Sequence, residues 1–85
     1  MGNNLSKDHN SNTPIPQGIY RHYKGNLYQV LHTARHSETD ELMVVYRCLY
    51  GDYSVWVRPL AMFTEMVTVD GQQVPRFELV ETYTN

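Results

Sequence analysis

The sequence predicts an all-β domain: a small, SH3-like, strongly bent barrel of five or six strands with one short 3₁₀ turn. Three observations lead there. Short runs rich in Tyr, Val and Leu alternate with turn signals containing Gly, Asn and Asp from Gln17 to Val80. No segment sustains a 3.6-residue apolar period, so helices are expected to be nearly absent. The chain has only 85 residues, enough for one domain that buries about 60% of its extended-chain surface. With so few strands, bending into a barrel buries one face and shields the edges. An OB-like barrel is the alternative closure.

The elements follow in order. Residues 1–15 form a flexible N-terminal lead, because this Asn-, Ser- and Asp-rich stretch has too little apolar surface to order itself. Residues 16–85 form the single β domain, entered through Pro14 and Pro16, which favour extended backbone. Gln17 to Lys24 suits a strand with Ile19, Arg21 and Tyr23 on one face and Tyr20, His22 and Lys24 on the other. Gly25-Asn26 supplies a two-residue hairpin turn. Leu27 to Ala34 returns with Tyr28, Val30, His32 and Ala34 on one side.

A polar loop, Arg35 to Glu41, leads to Leu42–Leu49, whose partly two-sided apolar pattern suggests a central strand. Gly51-Asp52 marks a turn into Ser54–Arg58, which Pro59 ends because it has no N–H to donate. Leu60 to Phe63 has the length of a single 3₁₀ turn. Met66–Val69 and Gln72–Val80 form a second hairpin about Asp70-Gly71, a favoured type I′ pair. Pro75 within the return strand implies an edge or a bulge.

Composition removes several classes of function. Cys48 is the one cysteine, so neither an internal disulfide nor a multi-cysteine zinc site is available within the chain. Its apolar neighbours mark it as a buried structural thiol. No apolar run is long enough to span a bilayer and no secretion signal opens the chain, so a cytoplasmic setting without membrane contact is expected. No cofactor is expected. Charge is unevenly divided. Residues 17–36 carry Arg21, Lys24 and Arg35 with His22, His32 and His36 and no carboxylate. Residues 37–85 carry Arg47, Arg58 and Arg76 against eight carboxylates, and the whole chain has a formal charge of −2. A cationic first hairpin either attracts an anion from outside or packs beside the acidic strands of its own barrel.

Two local patterns could carry chemistry. His36-Ser37-Glu38-Thr39 gathers an imidazole, two hydroxyls and a carboxylate. H-x-E opens the zinc-deaminase signature, yet the P-C-x-x-C partner it needs is missing. Nothing resembles a nucleophile elbow either. The same four residues also suit a loop whose side chains cap its own backbone. Trp56-Val57-Arg58-Pro59 is the second pattern: proline fixes the backbone after Arg58 and directs a planar cation beside an indole. Such a fork suits a carboxylate or phosphate, or an internal ion pair. Tyr20, Tyr23, Tyr28, Tyr46, Tyr50 and Tyr53 with Trp56 could stack nucleic-acid bases, but the mildly negative charge and the lack of a broad basic cluster argue against it.

Tyr20-Arg21-His22-Tyr23-Lys24-Gly25, His36-Ser37-Glu38-Thr39, Val45-Tyr46, Leu49-Tyr50-Gly51, Trp56-Val57-Arg58-Pro59 and Met62-Phe63 together resemble a family of small bacterial proteins, domain of unknown function 1653. The resemblance spans about residues 16 to 80. It implies a small barrel and supplies no reaction.

The reading that results is a non-enzymatic binding module for an anionic small molecule or a protein or peptide partner. Tyr20, Arg21, His22, Lys24, His36, Ser37, Glu38, Thr39, Trp56 and Arg58 are its candidate contacts. Two alternatives stand beside it: a metal-dependent or hydrolytic enzyme using His36, Ser37 and Glu38, and a structural subunit that completes a larger complex through an open strand edge.

Overall fold

The computed structural model describes residues 15–82, so the expected flexible lead lies, apart from Ile15, outside the described residues. Seven strands and one helical turn follow in order. They are β1 (Gly18–His22), β2 (Leu27–Arg35), β3 (Leu42–Cys48), β4 (Val55–Pro59), α1 (Leu60–Phe63), β5 (Met66–Val69), β6 (Gln72–Pro75) and β7 (Phe77–Thr82). The domain is all-β, as expected. Five strands form one antiparallel sheet in the order β4-β3-β2-β1-β7, and β5-β6 form a separate two-stranded sheet. No ladder joins β4 to β7 among the described residues, so the bent sheet stays open along its edges instead of closing into a hydrogen-bonded barrel.

The extra strand arises at Pro75. The β5–β6 ladder ends at the Met66–Pro75 pair, since proline has no N–H to extend it. Arg76 then bridges the two sheets: its N–H donates to Glu65 O at 3.0 Å and its carbonyl accepts from Tyr23 N at 3.0 Å. From Phe77 onward the chain pairs with β1 instead. The return strand expected over Gln72–Val80 is therefore two strands in two sheets. The bond from Tyr23 N also draws that residue out of the β1–β2 ladder. The first hairpin turns through Tyr23–Asn26, closed by Gly25 N to His22 O at 2.7 Å and His22 N to Asn26 O at 2.8 Å, not through a two-residue turn.

Two local readings hold and two do not. Asp70 and Gly71 both take positive φ, 50° and 78°, as a type I′ turn requires. Pro59 closes the edge strand β4. The turn after it is α rather than 3₁₀, because Thr64 N reaches Leu60 O at 3.0 Å. In β2 a bulge between Val30 and His32 reverses the facing: Val30 stands opposite Tyr46, but His32 opposite Val45 and Thr33 opposite Val44. Gln17 Nε2 occupies the freed carbonyl of Leu31 at 2.6 Å. His32 and Ala34 consequently turn to solvent, away from the face that Tyr28 and Val30 share.

The concave face carries the core. Val44, Tyr46 and Cys48 alternate inward along β3 and join Tyr20, Val30, Phe63 and Phe77 as buried residues. Phe63 from α1 lies flat on Phe77 from β7, centroids 4.0 Å apart and planes 1° apart. Tyr20 and Tyr28 meet this pair edge-on, Tyr20 against Phe63 at 5.5 Å and Tyr28 against Phe77 at 5.4 Å. On the opposite face of β4, Val55 and Val57 are exposed. At Gly18 the β7 backbone leaves no room for a side chain: a Cβ there would collide with the Glu81 carbonyl oxygen.

Two outcomes follow from this packing. Phe63→Ala, which empties one side of the stack, should cost about 3–5 kcal/mol, most of what so small a domain holds. Urea denaturation should find it largely unfolded in buffer. Gly18→Ala should unpair the β1–β7 ladder, seen as faster amide exchange from Glu78 to Thr82 with the β2–β3 amides little changed.

Candidate functional site

The predicted contacts fall in two places. His36, Ser37, Glu38 and Thr39 occupy the loop after β2, while His22 and Lys24 precede β2. The nine residues of β2 separate the two ends by about 26 Å at the usual strand rise. One ligand of modest size cannot touch both.

The loop after β2 satisfies itself. His36 Nδ1 accepts the backbone N–H groups of Glu38 at 3.2 Å and Thr39 at 3.4 Å. Thr39 Oγ1 accepts from Glu41 N at 3.2 Å. Asp40 N donates to His36 O, and His36 N to Glu41 O, both at 2.8 Å. Arg35 clamps the outside, reaching Asp40 O at 3.1 Å and Asp40 Oδ1 at 3.3 Å. This stabilises Asp40 at its positive φ of 64°. The imidazole lone pair that metal or proton chemistry would need is directed at backbone. Among the described residues no three His, Cys, Asp or Glu side chains gather as a metal cluster.

The first hairpin is different. His22 follows Tyr20 on the core-facing side of β1, opposite Phe77, with ring centroids 4.9 Å apart. Tyr23 stacks obliquely on the imidazole at 4.6 Å. Lys24 N donates to His22 Nδ1 at 3.1 Å, and Lys24 Nζ lies 5.8 Å from the Tyr23 ring centroid. Arg58 enters from β4: it stands opposite the fully buried Val44, so it projects on the core-facing side. Its guanidinium carbon lies 5.7 Å from the Phe77 ring centroid. Burial, and then the charges of Arg58, Arg76 and Lys24, hold the His22 pKa below its ordinary 6.5. Three cations thus bear on one imidazole, of which Arg76 alone has a carboxylate partner, Glu65.

The pairing of these cations is uneven. Arg76 Nη2 meets Glu65 Oε1 at 3.0 Å. Arg58 forms no ion pair among the described residues, and its Nε is buried without a hydrogen-bond partner. Trp56, two residues earlier on the same face, is 57% exposed with its indole N–H held by Ser54 Oγ at 2.7 Å. Beyond it the floor is aromatic: Tyr46 packs against Tyr28, and Tyr28 against Tyr50, whose hydroxyls lie 3.0 Å apart. That hydrogen bond, and then one with Cys48, raise the Tyr50 pKa above 10.0.

Tyr20 does not belong to this surface. It is buried, its hydroxyl donates to Pro16 O at 2.7 Å, and burial raises its pKa. Arg21 points the other way, into a cleft of about 390 Å³ between the first hairpin and β5–β6. Arg76, Tyr23, Tyr28 and Phe77 were not among the sequence candidates. A signal for Arg76 was present: Pro75 precedes it and fixes its approach, much as Pro59 follows Arg58.

The model of the family described as "Protein of unknown function (DUF1653)" matches residues 18–79. A crystal structure of a DUF1653 protein from Bordetella bronchiseptica is 40% identical, with 84% of this chain and 94% of that chain covered and a TM-score of 0.74. No curated protein matches.

The depressed His22 pKa sets a pH dependence. The unfolded chain binds a proton at this residue before the folded one does, so His22 lowers stability as pH falls below 6.5 toward the folded value. Thermal melts across that window should show the loss, and His22→Gln should flatten it.

Proposed function

The chain belongs to the DUF1653 family, whose description carries no activity, and we propose that it is a binding module for an anionic group. A carboxylate or phosphate, on a small molecule or a peptide, sits between Arg58 and the His22–Lys24 turn. Trp56 and Tyr23 give flat contact surface on either side. The single observation that carries this reading is Arg58: a half-buried cation whose Nε is unpartnered, as that of Arg76 also is, but which unlike Arg76 has no carboxylate to neutralise it. A buried charged donor without a partner costs about 1–3 kcal/mol or more, a large share of the stability of a domain this size. An incoming oxyanion supplies the counter-charge that the guanidinium lacks, and a planar cation of this kind suits paired bonds to carboxylate or phosphate. His22 adds a proton-dependent charge and Lys24 a mobile one at the rim. The reading narrows the contact set expected from sequence to the first hairpin and β4, because the His36 loop is distant and internally bonded.

Two measurements bear on it. In an NMR titration with inorganic phosphate, citrate and an acidic peptide, amides of His22, Lys24 and Arg58 should shift, more strongly as pH falls and His22 gains its proton. Arg58→Met should abolish that response and leave stability unchanged or higher by about 1 kcal/mol, since an unsatisfied charge is replaced by apolar volume. A destabilised Arg58→Met protein that still answers to anions would make Arg58 a structural residue and end the proposal.

A further inference from the structure

A second feature, on the opposite face of β1, is not absorbed by that reading. Arg21 and Glu78 are direct partners across the β1–β7 ladder, so their side chains leave on the same face about 5 Å apart at Cβ. Opposite charges in that position ordinarily pair. Here neither takes part in an ion pair or a side-chain hydrogen bond among the described residues, where the ion pairs are Arg35–Asp40 and Arg76–Glu65. Both instead line the cleft of about 390 Å³, a volume near the lower end of small-ligand sites. Its far wall comes from the other sheet, where Val69, Val74 and Pro75 present apolar surface, and His22 and Tyr23 complete the lining.

We infer that this cleft binds a free apolar α-amino acid as its zwitterion, with the carboxylate on Arg21, the ammonium on Glu78 and the side chain against Val69, Val74 and Pro75. The charge pattern selects this ligand over its relatives. A simple carboxylic acid would meet Arg21 but press its negative charge toward Glu78. A simple amine would meet Glu78 and face Arg21. An α-amino acid carries both charged groups on one α-carbon, so each can meet its opposite on a single ladder rung while the side chain projects away from both. The apolar wall then favours aliphatic side chains over polar ones, which would lose hydration without gaining a partner. The cleft is also built to hold its shape. Its walls belong to two different sheets, tied together beside it by Tyr23 N to Arg76 O and Arg76 N to Glu65 O, both at 3.0 Å.

The test uses the full 85-residue chain and L-leucine, followed by NMR and calorimetry. Leucine should shift the methyl signals of Val69 and Val74 and the amides of Arg21 and Glu78 saturably. 4-Methylpentanoate, which lacks the amine, and isoamylamine, which lacks the carboxylate, should each bind at least about tenfold more weakly, the loss of one charge-assisted hydrogen bond. Arg21→Gln and Glu78→Gln, both at exposed positions, should weaken leucine by a similar factor while the rest of the spectrum stays in place. Leucine amide should bind as weakly as the amine. No saturable shift with leucine, equal affinity for either singly charged analogue, or full leucine affinity in both variants would overturn the assignment. His22 and Tyr23 border both sites, so the variants tell the readings apart: Arg58→Met should leave leucine binding intact, and Glu78→Gln should leave the phosphate response intact, and either reading can fail while the other stands.

Discussion

The contact on which the rest of the molecule depends is the flat stack of Phe63 on Phe77. The five-stranded sheet ends in β4 on one side and β7 on the other, and no backbone ladder joins them. Phe63 sits in the helical turn that follows β4, and Phe77 opens β7. Their rings, 4.0 Å apart, bring the two edges of the bent sheet together through side chains where a barrel would use hydrogen bonds. Tyr20, Tyr28 and Tyr46 pack around the stack from the three strands between. The cationic surface is assembled on the same pair: His22 leans on Phe77 from one side and Arg58 lies over it from the other. Aromatic side chains suit this role in a chain too short for a thick aliphatic core, since each buries a large area.

Closure by side chains rather than by ladder has a consequence for charge. In a closed barrel an inward residue on β4 would be sealed by the neighbouring strand. In this open sheet Arg58 shares the inward face with Val44, yet it can reach the gap between the edges, where an aromatic ring and other cations are its neighbours. The carboxylates are elsewhere: Glu65 is taken by Arg76, Asp40 by Arg35, and Glu78 and Glu81 stand on β7 opposite Arg21 and Ile19. Of the fixed cations in residues 17–36, Arg35 is thus paired with Asp40 and Arg21 faces Glu78 across the ladder, while Lys24 has no carboxylate partner among the described residues. The three-dimensional path of β7, which composition does not reveal, sets which of these cations meets an acid.

How much of this the sequence revealed varies by element, for physical reasons. Type I′ geometry at Asp70-Gly71 was legible because a turn that needs two positive φ values accepts few residue pairs. The end of β4 was legible because proline has no donor. The split of the final strand was not: Pro75 announced an irregularity, but the exchange of partners at Arg76 depends on where Glu65 and Tyr23 lie in space. The facing of His32 was misread for the same reason, since one bulge at Leu31 inverts the alternation beyond it. Among the candidate contacts, Arg58 was expected beside the Trp56 indole and lies instead over Phe77, a partner far along the chain, while Tyr20 looked like contact surface and is core. The joining of the His36 loop to the first hairpin failed on simple length, as residues linked by one strand lie at opposite ends of it.

The two ends of that strand also differ in what their polar groups are doing, and this asymmetry carries the functional argument. At the His36 end, imidazole nitrogen, threonine hydroxyl, guanidinium and carboxylate are all engaged within seven residues, Arg35 to Glu41. A loop so satisfied gains stability from its polar residues and has little left to offer a partner. At the His22 end one imidazole nitrogen is engaged, while the Arg58 Nε, Arg21 and Glu78 have no partner among the described residues. Of these only the Arg58 Nε is buried, and an unmade bond there weighs in a protein with so little net stability. Arg21 and Glu78 are exposed, so water solvates both charges and an ion pair between them would add little. The His22 end therefore leaves charged groups free for the ligands proposed above, and the His36 end does not.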